Sequence, residues 1–136
     1  MISPRPFTRT QLLARMLQSF RHGNIEIVAA SFSTAKQSAE AEYKWVAGQL
    51  HMKLRLDAAQ DGGVSMVVHE LLHAHADDPD CPNACGVLPR EWHGDLRENA
   101  LQGIEVAMVK HLTDKYPRKF EQWRAAISRK QVQVEG

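Results

Sequence analysis

The apolar positions along this chain follow two different periods, which predict helices and strands in a definite order. A helical period runs from Thr8 to His22, where Thr8-x-x-Gln11 is typical of a capping box, and Gly23 ends the helix. Apolar and polar residues then alternate over residues 24–32, which predicts a strand. The period of two returns from Tyr43 onward and predicts a half-buried strand over Leu50–Asp57. Residues 33–42 are polar and rich in Ser and Ala, so a loop and a surface helix both stay open there.

A buried helix is predicted near the centre of the chain. After a Gly-Gly turn, a strongly apolar run predicts this helix over Val64–Ala76. Residues 77–91 contain three prolines and are predicted to be irregular. A long helix follows, beginning at Glu91 or Asp95 and reaching Tyr116.

The C-terminal part is predicted to form one more helix. Pro117 fits its first turn, and the polar tail from about Arg129 is predicted to be frayed and flexible. The expected fold is therefore α+β, in a single domain over residues 1–136. It consists of an N-terminal helix, a small and mostly antiparallel sheet, the central helix and two C-terminal helices.

Composition agrees with one ordinary globular domain. The chain has 136 residues and a mass of 15.3 kDa, with 43% hydrophobic and 24% charged residues. Its net charge of +1 gives no indication of nucleic acid as a partner. No apolar run approaches the ~18 residues of a membrane helix, no secretory signal is recognisable, and two cysteines are too few for a disulfide scaffold. We expect a soluble cytoplasmic protein that binds no membrane.

One short motif in the central helix carries chemistry. The segment His69-Glu70-Leu71-Leu72-His73 has the pattern H-E-x-x-H, which this composition would give by chance with an expectation of only about 2%. Residues i and i+4 share one helix face, so His69 and His73 are predicted to bind one Zn²⁺ ion. Glu70 is rotated about 100° from His69 and can act as general base on a water bound at the ion's open position. The competing interpretation is a pair of structural histidines.

The motif and its surroundings resemble the active-site helix of the zincin metallopeptidases. The resemblance rests on Val67-Val68-His69-Glu70-Leu71-Leu72-His73-Ala74, which follows a strand and a Gly-Gly turn. The order of elements also resembles that of small intracellular or phage-type zincins, which include minimal gluzincins and SprT-like proteins. The resemblance implies a zincin-like fold, a zinc cofactor and a protein or peptide substrate.

The third zinc ligand distinguishes the zincin groups. The extended metzincin pattern needs Gly and His where this chain has Ala76 and Pro79, so that pattern fails. The resemblance to gluzincins implies a Glu from a later helix, for which Glu98 is preferred. Glu105 lies seven residues further on, ~10 Å along the helix axis, so one ion cannot take both carboxylates. Glu105 is then a neighbour of the ligands or a surface charge.

Two alternatives compete with Glu98 as the third ligand. Asp95-x-x-Glu98 also has the form of a capping box, which would make Glu98 structural. A SprT-like arrangement would need a later His, and His93 is the residue available.

Weaker patterns suggest two further contacts. Cys81-x3-Cys85 could hold a second, structural zinc ion or form a disulfide, although reduced thiols are the favoured interpretation. Basic residues also form a modest face near the C-terminus, where solvation is preferred to a nucleic-acid contact. They are Arg118, Lys119, Arg124, Arg129 and Lys130.

The leading functional hypothesis is a small zinc-dependent metalloprotease. Zinc would be held by His69, His73 and Glu98, with Glu70 as the base, and the Leu50–Asp57 strand would bind substrate if it formed the sheet edge. The alternatives are a zincin-fold binding or structural module without turnover, and a SprT-like protein associated with DNA. The presence of Glu70 argues against the first alternative, and the near-zero net charge argues against the second.

Overall fold

Helices and strands follow one another in nearly the predicted order. The computed structural model describes residues 8–29, 39–57, 63–76 and 92–132. The helices described there are α1 (Arg9–His22), α2 (Val64–Ala76), α3 (Gly94–Lys115) and α4 (Pro117–Lys130). The strands are β1 (Asn24–Ala29), β2 (Ala39–Val46), β3 (Gln49–Leu56) and β4 (Gln131–Val132). The predicted α+β class is confirmed.

The strands form one mixed sheet in the order β2-β3-β1-β4. β2 pairs with β3 antiparallel, whereas β1 pairs in parallel with both β3 and β4. The prediction of a mostly antiparallel sheet is therefore wrong in this detail. The reason is that the β2–β3 hairpin reverses the chain once more, so β3 runs beside β1 in the same direction.

The hairpin also revises two expectations about the middle of the chain. β2 begins at Ala39, so residues 39–42 are strand where a loop or a surface helix was expected, and residues 30–38 lie outside the described part. The turn residues Ala47 and Gly48 have φ values of 52° and 79°, as in the two-residue turns that match strand twist. The substrate hypothesis requires the Leu50–Asp57 strand to form the edge of the sheet. It does not, because β2 pairs with its outer side and makes it an internal strand.

One face of the sheet carries the core. Along β3 every second side chain is buried, and α1, α2 and α4 pack on that face. Phe20 of α1 and Trp123 of α4 meet there with ring centroids 6.1 Å apart. The opposite face of the sheet is polar, with Glu26 and Lys53 exposed.

The ends of α1 have the predicted form. Thr8 accepts a hydrogen bond from the backbone N–H of Gln11, and the Gln11 side chain accepts one from the Thr8 N–H, so the capping box is confirmed. At the other end, Gly23 passes close to β3. A Cβ there would lie 2.6 Å from the Ser19 carbonyl oxygen and 2.7 Å from that of Leu50. Only glycine fits this approach without a backbone shift.

The C-terminal tail is more regular than the sequence predicts. α4 continues to Lys130, and Gln131 and Val132 pair with Ile27 and Val28 of β1. Residues 129–132 thus lie in regular structure, whereas the sequence predicts a frayed tail from Arg129. Within the described ranges, no helix is both long enough and apolar enough to cross a membrane.

Candidate metal centre

Helix α2 fixes the two histidines of the H-E-x-x-H motif. Its apolar residues are buried, with no measurable exposure for Val67, Val68, Leu71 and Leu72. That burial leaves His69 and His73 on the remaining face, both partly exposed. Their Nε2 atoms are 3.2 Å apart, as the i, i+4 spacing predicts.

Helix α3 brings a carboxylate to the same point. Oε1 of Glu98 lies 3.1 Å from Nε2 of His69, and Oε2 lies 2.9 Å from Nε2 of His73. The Glu98 side chain is half exposed, so the cluster opens to solvent. These are the same three residues that the sequence assigns to zinc.

The donor set fits a zinc ion chemically. Two imidazole nitrogens and one carboxylate form one of the usual three-ligand sets of catalytic zinc sites. Bond lengths of ~2.0–2.1 Å place the ligand atoms of a tetrahedral site ~3.3 Å apart. The observed separations of 2.9 to 3.2 Å differ from this by only a few tenths of an ångström.

Glu105 lies on the other side of the His69 ring. Its Oε1 accepts a hydrogen bond of 2.9 Å from Nδ1 of His69, so that nitrogen carries a hydrogen and Nε2 can offer a lone pair. Glu105 is 8% exposed and lies in the buried stripe of α3 with Leu101 and Met108. It is therefore not a surface charge, and His69 is the partner that its burial requires.

The acidic surroundings shift the pKa of the histidine. The hydrogen bond to Glu105 is the main reason why the pKa of His69 is raised above its ordinary value, and burial opposes the rise. The negative charges of Glu70, Glu105 and Glu98 add to it. The negative charge of these three carboxylates is also the kind of charge that attracts a cation.

Glu70 has the environment of a proton acceptor. Burial raises the pKa of its carboxyl above the ordinary value, while the nearby His69 lowers it. The charges of Glu98 and Glu105 raise it further. A carboxyl whose pKa is moved toward neutrality is better suited to accept and return a proton.

Two aromatic residues of β2 hold the C-terminal end of α2, and the sequence analysis did not identify them. The Trp45 Nε1–H donates to the Ala74 carbonyl at 2.8 Å, and the Tyr43 hydroxyl donates to the His73 carbonyl at 3.4 Å. These carbonyls belong to the last turn, which lacks partners within the helix. His75 is fully buried and meets the Trp45 ring edge-on, with centroids 5.2 Å apart. The signal in the sequence that could have identified them is the pair of aromatic residues at alternate positions, Tyr43 and Trp45.

The remaining candidate residues take other places. His93 is the exposed N-cap residue of α3 and does not belong to the group at ligand distance. Because α3 begins at Gly94, Asp95 is not its N-cap, so the capping-box interpretation of Glu98 fails. Cys81 and Cys85 lie outside the described residues.

Comparisons with known proteins do not assign the chain to a family. No family model matches the chain, and searches of curated proteins and of solved structures found no match.

Proposed function

We propose that the protein is a zinc-dependent peptidase in which His69, His73 and Glu98 hold the metal and Glu70 is the general base. One observation carries the proposal. Two helices that are distant in sequence bring three zinc-type ligand atoms to within 4.8 Å of one another, beside a carboxyl with a raised pKa. A cluster with a purely structural task would have no use for that carboxyl.

The proposed reaction is hydrolysis of a peptide bond. Zinc at this site would polarise the substrate carbonyl and lower the pKa of a bound water to ≈ 7. Glu70 takes a proton from the water as the water oxygen bonds to the carbonyl carbon. The same carboxyl then gives that proton to the amide nitrogen when the C–N bond breaks. Glu105 holds the His69 ring in the tautomer that offers Nε2 to the metal.

β2 is the preferred strand for binding an extended peptide. It is paired only with β3 among the described strands, and it is held to α2 through Tyr43 and Trp45. A peptide added to its outer edge would gain main-chain hydrogen bonds close to the histidines. β2 thus takes the role that the sequence assigns to the Leu50–Asp57 strand, which lies inside the sheet. We also propose the cytoplasmic location expected from the sequence.

The test uses Glu70→Gln with Glu26→Gln as a matched control, because Glu26 is exposed on the polar face of the sheet. Hydrolysis of a casein-type substrate by the zinc-loaded protein should fall at least about 100-fold in Glu70→Gln. It should be unchanged in Glu26→Gln. Zinc content and melting temperature should stay close to those of the parent in both variants.

Two outcomes contradict the proposal in different ways. Loss of zinc from Glu70→Gln would show that Glu70 is a ligand and not the base. A parent protein that binds one zinc ion but hydrolyses no peptide substrate would identify a metal-binding module without turnover.

A further inference from the structure

The basic residues of this chain are concentrated on two helices. α1 and α4 together carry eight of the 17 Lys and Arg residues but only one of the 16 acidic residues, Glu121. The rest of the chain is therefore net acidic, although the whole carries +1. An overall charge near zero conceals this separation, which is the kind of asymmetry that indicates a polyanionic partner.

Part of this charge borders a groove between α1 and α4, which His111 and Leu112 of α3 also line. Two cavities of about 260 and 360 Å³ open along the groove, and both are lined by Arg21. Lys119 lines the first cavity, and Arg129 and Lys130 line the second. No described residue that lines either cavity is acidic. Lys119 and Lys130 are eleven residues apart, so the cationic edge is ~16 Å long.

The same groove has an apolar floor and an aromatic rim. Leu17 and Trp123 line its floor, and Tyr116 at its rim is 38% exposed. Lys119 Nζ lies 5.3 Å from the centroid of that ring, and His111 meets the ring edge-on at 5.1 Å. A cationic groove beside an exposed aromatic ring is the combination that single-stranded nucleic acids require, for their phosphates and for stacking of a base.

Two other polyanionic partners fit less well. Membrane-bound helices insert an exposed apolar face into the lipid. The large exposed apolar residues of the described chain are Val46, Leu96, Val106 and Tyr116. Of these only Tyr116 borders the groove, and a single ring is not an apolar helix face. In a duplex the bases are already stacked on one another, so none of them offers a free face to the Tyr116 ring.

We propose that the groove between α1 and α4 binds single-stranded nucleic acid, with Arg21, Lys119 and Arg129 on the phosphates and Tyr116 against a base. The site is separate from the candidate metal centre, because His111 lies 13 residues beyond Glu98 on α3, a distance of ~20 Å. The inference goes beyond the peptidase proposal and does not rest on it.

Fluorescence anisotropy with 5′-labelled dT20 tests the proposal directly. With three phosphate contacts, the logarithm of the association constant should fall with that of the salt concentration with a slope of roughly −2. Affinity should therefore drop roughly tenfold to twentyfold between 50 and 200 mM NaCl. Absence of binding at 50 mM NaCl, or binding that does not depend on salt, would overturn the proposal.

Matched triple variants separate the groove from net charge. Arg21→Gln/Lys119→Gln/Arg129→Gln should bind dT20 at least tenfold more weakly and lose most of the salt dependence. Lys44→Gln/Lys53→Gln/Lys110→Gln removes the same charge from exposed sites elsewhere and should bind nearly as the parent does. Equal losses in both variants contradict the groove. Circular dichroism shows whether the triple variant in the groove is folded. If it is not, the single variant Arg21→Gln replaces it and should reduce the magnitude of the salt-dependence slope of dT20 binding by about 0.7.

The stacking contact has its own pair of variants. Tyr116→Leu should weaken dT20 binding about tenfold, whereas Tyr116→Phe keeps the ring and should bind as the parent does. Equal affinity of both variants would overturn the assignment of Tyr116.

Competitors and a chelator distinguish the remaining possibilities. Unlabelled duplex, poly-glutamate and phosphatidylserine vesicles should each displace dT20 much less well than unlabelled dT20 does. Equal displacement by any of them contradicts the single-strand assignment. Binding of dT20 should be unchanged in EDTA and in Glu70→Gln. The nucleic-acid proposal and the peptidase proposal can therefore be contradicted independently of each other.

Discussion

Glu98 and Glu105 lie two turns apart on α3 and approach opposite sides of the His69 ring, so the two carboxylates have different tasks. Glu98 faces the Nε2 atoms of both histidines, where a metal ion would be bound. Glu105 faces Nδ1, where it accepts the hydrogen that fixes the ring. The two carboxylates also differ in exposure: Glu98 is half exposed where the cluster opens to solvent, whereas Glu105 is 8% exposed.

Replacement of Glu98 should remove most of the zinc affinity. In Glu98→Ala the ion would lose one of three protein ligands, whereas His93→Ala should bind zinc as the parent does because His93 lies outside the cluster. Competition with a chromophoric chelator measures both affinities. Parental affinity in Glu98→Ala together with a loss in His93→Ala would assign the third ligand to the histidine.

Replacement of Glu105 should have a smaller effect on zinc binding. Glu105→Ala removes the acceptor for His69 Nδ1 and should weaken zinc binding about 10- to 100-fold. Glu105→Gln keeps an acceptor oxygen and should recover part of that loss. Glu121→Gln on exposed α4 serves as the control. The orienting role is wrong if Glu105→Ala binds zinc as tightly as the parent.

At the scale of elements, the junction between β2 and α2 sets the position of the metal-binding face. The last turn of α2 has carbonyl groups that no helical N–H can reach, and β2 supplies two donors for them through Tyr43 and Trp45. The strand therefore holds the helix close to His73. A shift in this contact would move one proposed ligand relative to Glu98.

Trp45→Phe tests this junction. The change keeps an aromatic ring but leaves the Ala74 carbonyl without its donor, which should cost about 1–3 kcal/mol in the free energy of unfolding. Urea denaturation measures the cost, and Trp92→Phe provides a change of the same type away from that carbonyl. Equal costs in the two variants would show that ring size, and not the hydrogen bond, accounts for the loss.

The sequence predicts those helices and strands whose own hydrophobic pattern is clear without knowledge of the element that they pack against. β3 alternates strictly along its length, and α2 is apolar enough to be recognised as buried. β2 was only partly predicted because its inward residues Ala41, Tyr43 and Trp45 are half-buried, which weakens the alternation. The parallel pairing of β1 could not be predicted, since it depends on where the hairpin packs.

The candidate site could be predicted to a similar degree. His69 and His73 follow from a fixed spacing within one helix, so the sequence alone brings them together. The choice of Glu98 agrees with the cluster, but the burial of Glu105 could not be predicted. Both carboxylates lie near the border of the same face of α3, and only the packing of α3 against α2 shows which of them is covered.

For the molecule as a whole, the proposed chemistry and the separated charge occupy different regions. The acidic and imidazole groups of the cluster lie between α2 and α3, while the basic groove lies between α1 and α4. We propose that the chain binds one zinc ion through His69, His73 and Glu98, and the rest of the proposed chemistry depends on this claim.

X-ray absorption spectroscopy of the zinc-loaded protein tests that claim most directly. We expect one zinc ion per chain with a first coordination sphere of nitrogen and oxygen at ~2.0–2.1 Å, including two imidazoles, and a lower zinc content in Glu98→Ala at the same free zinc concentration. Sulfur at ~2.3 Å would assign the zinc to Cys81 and Cys85, and a zinc content unchanged in Glu98→Ala would remove Glu98 from the site. Either result would contradict the proposed zinc site.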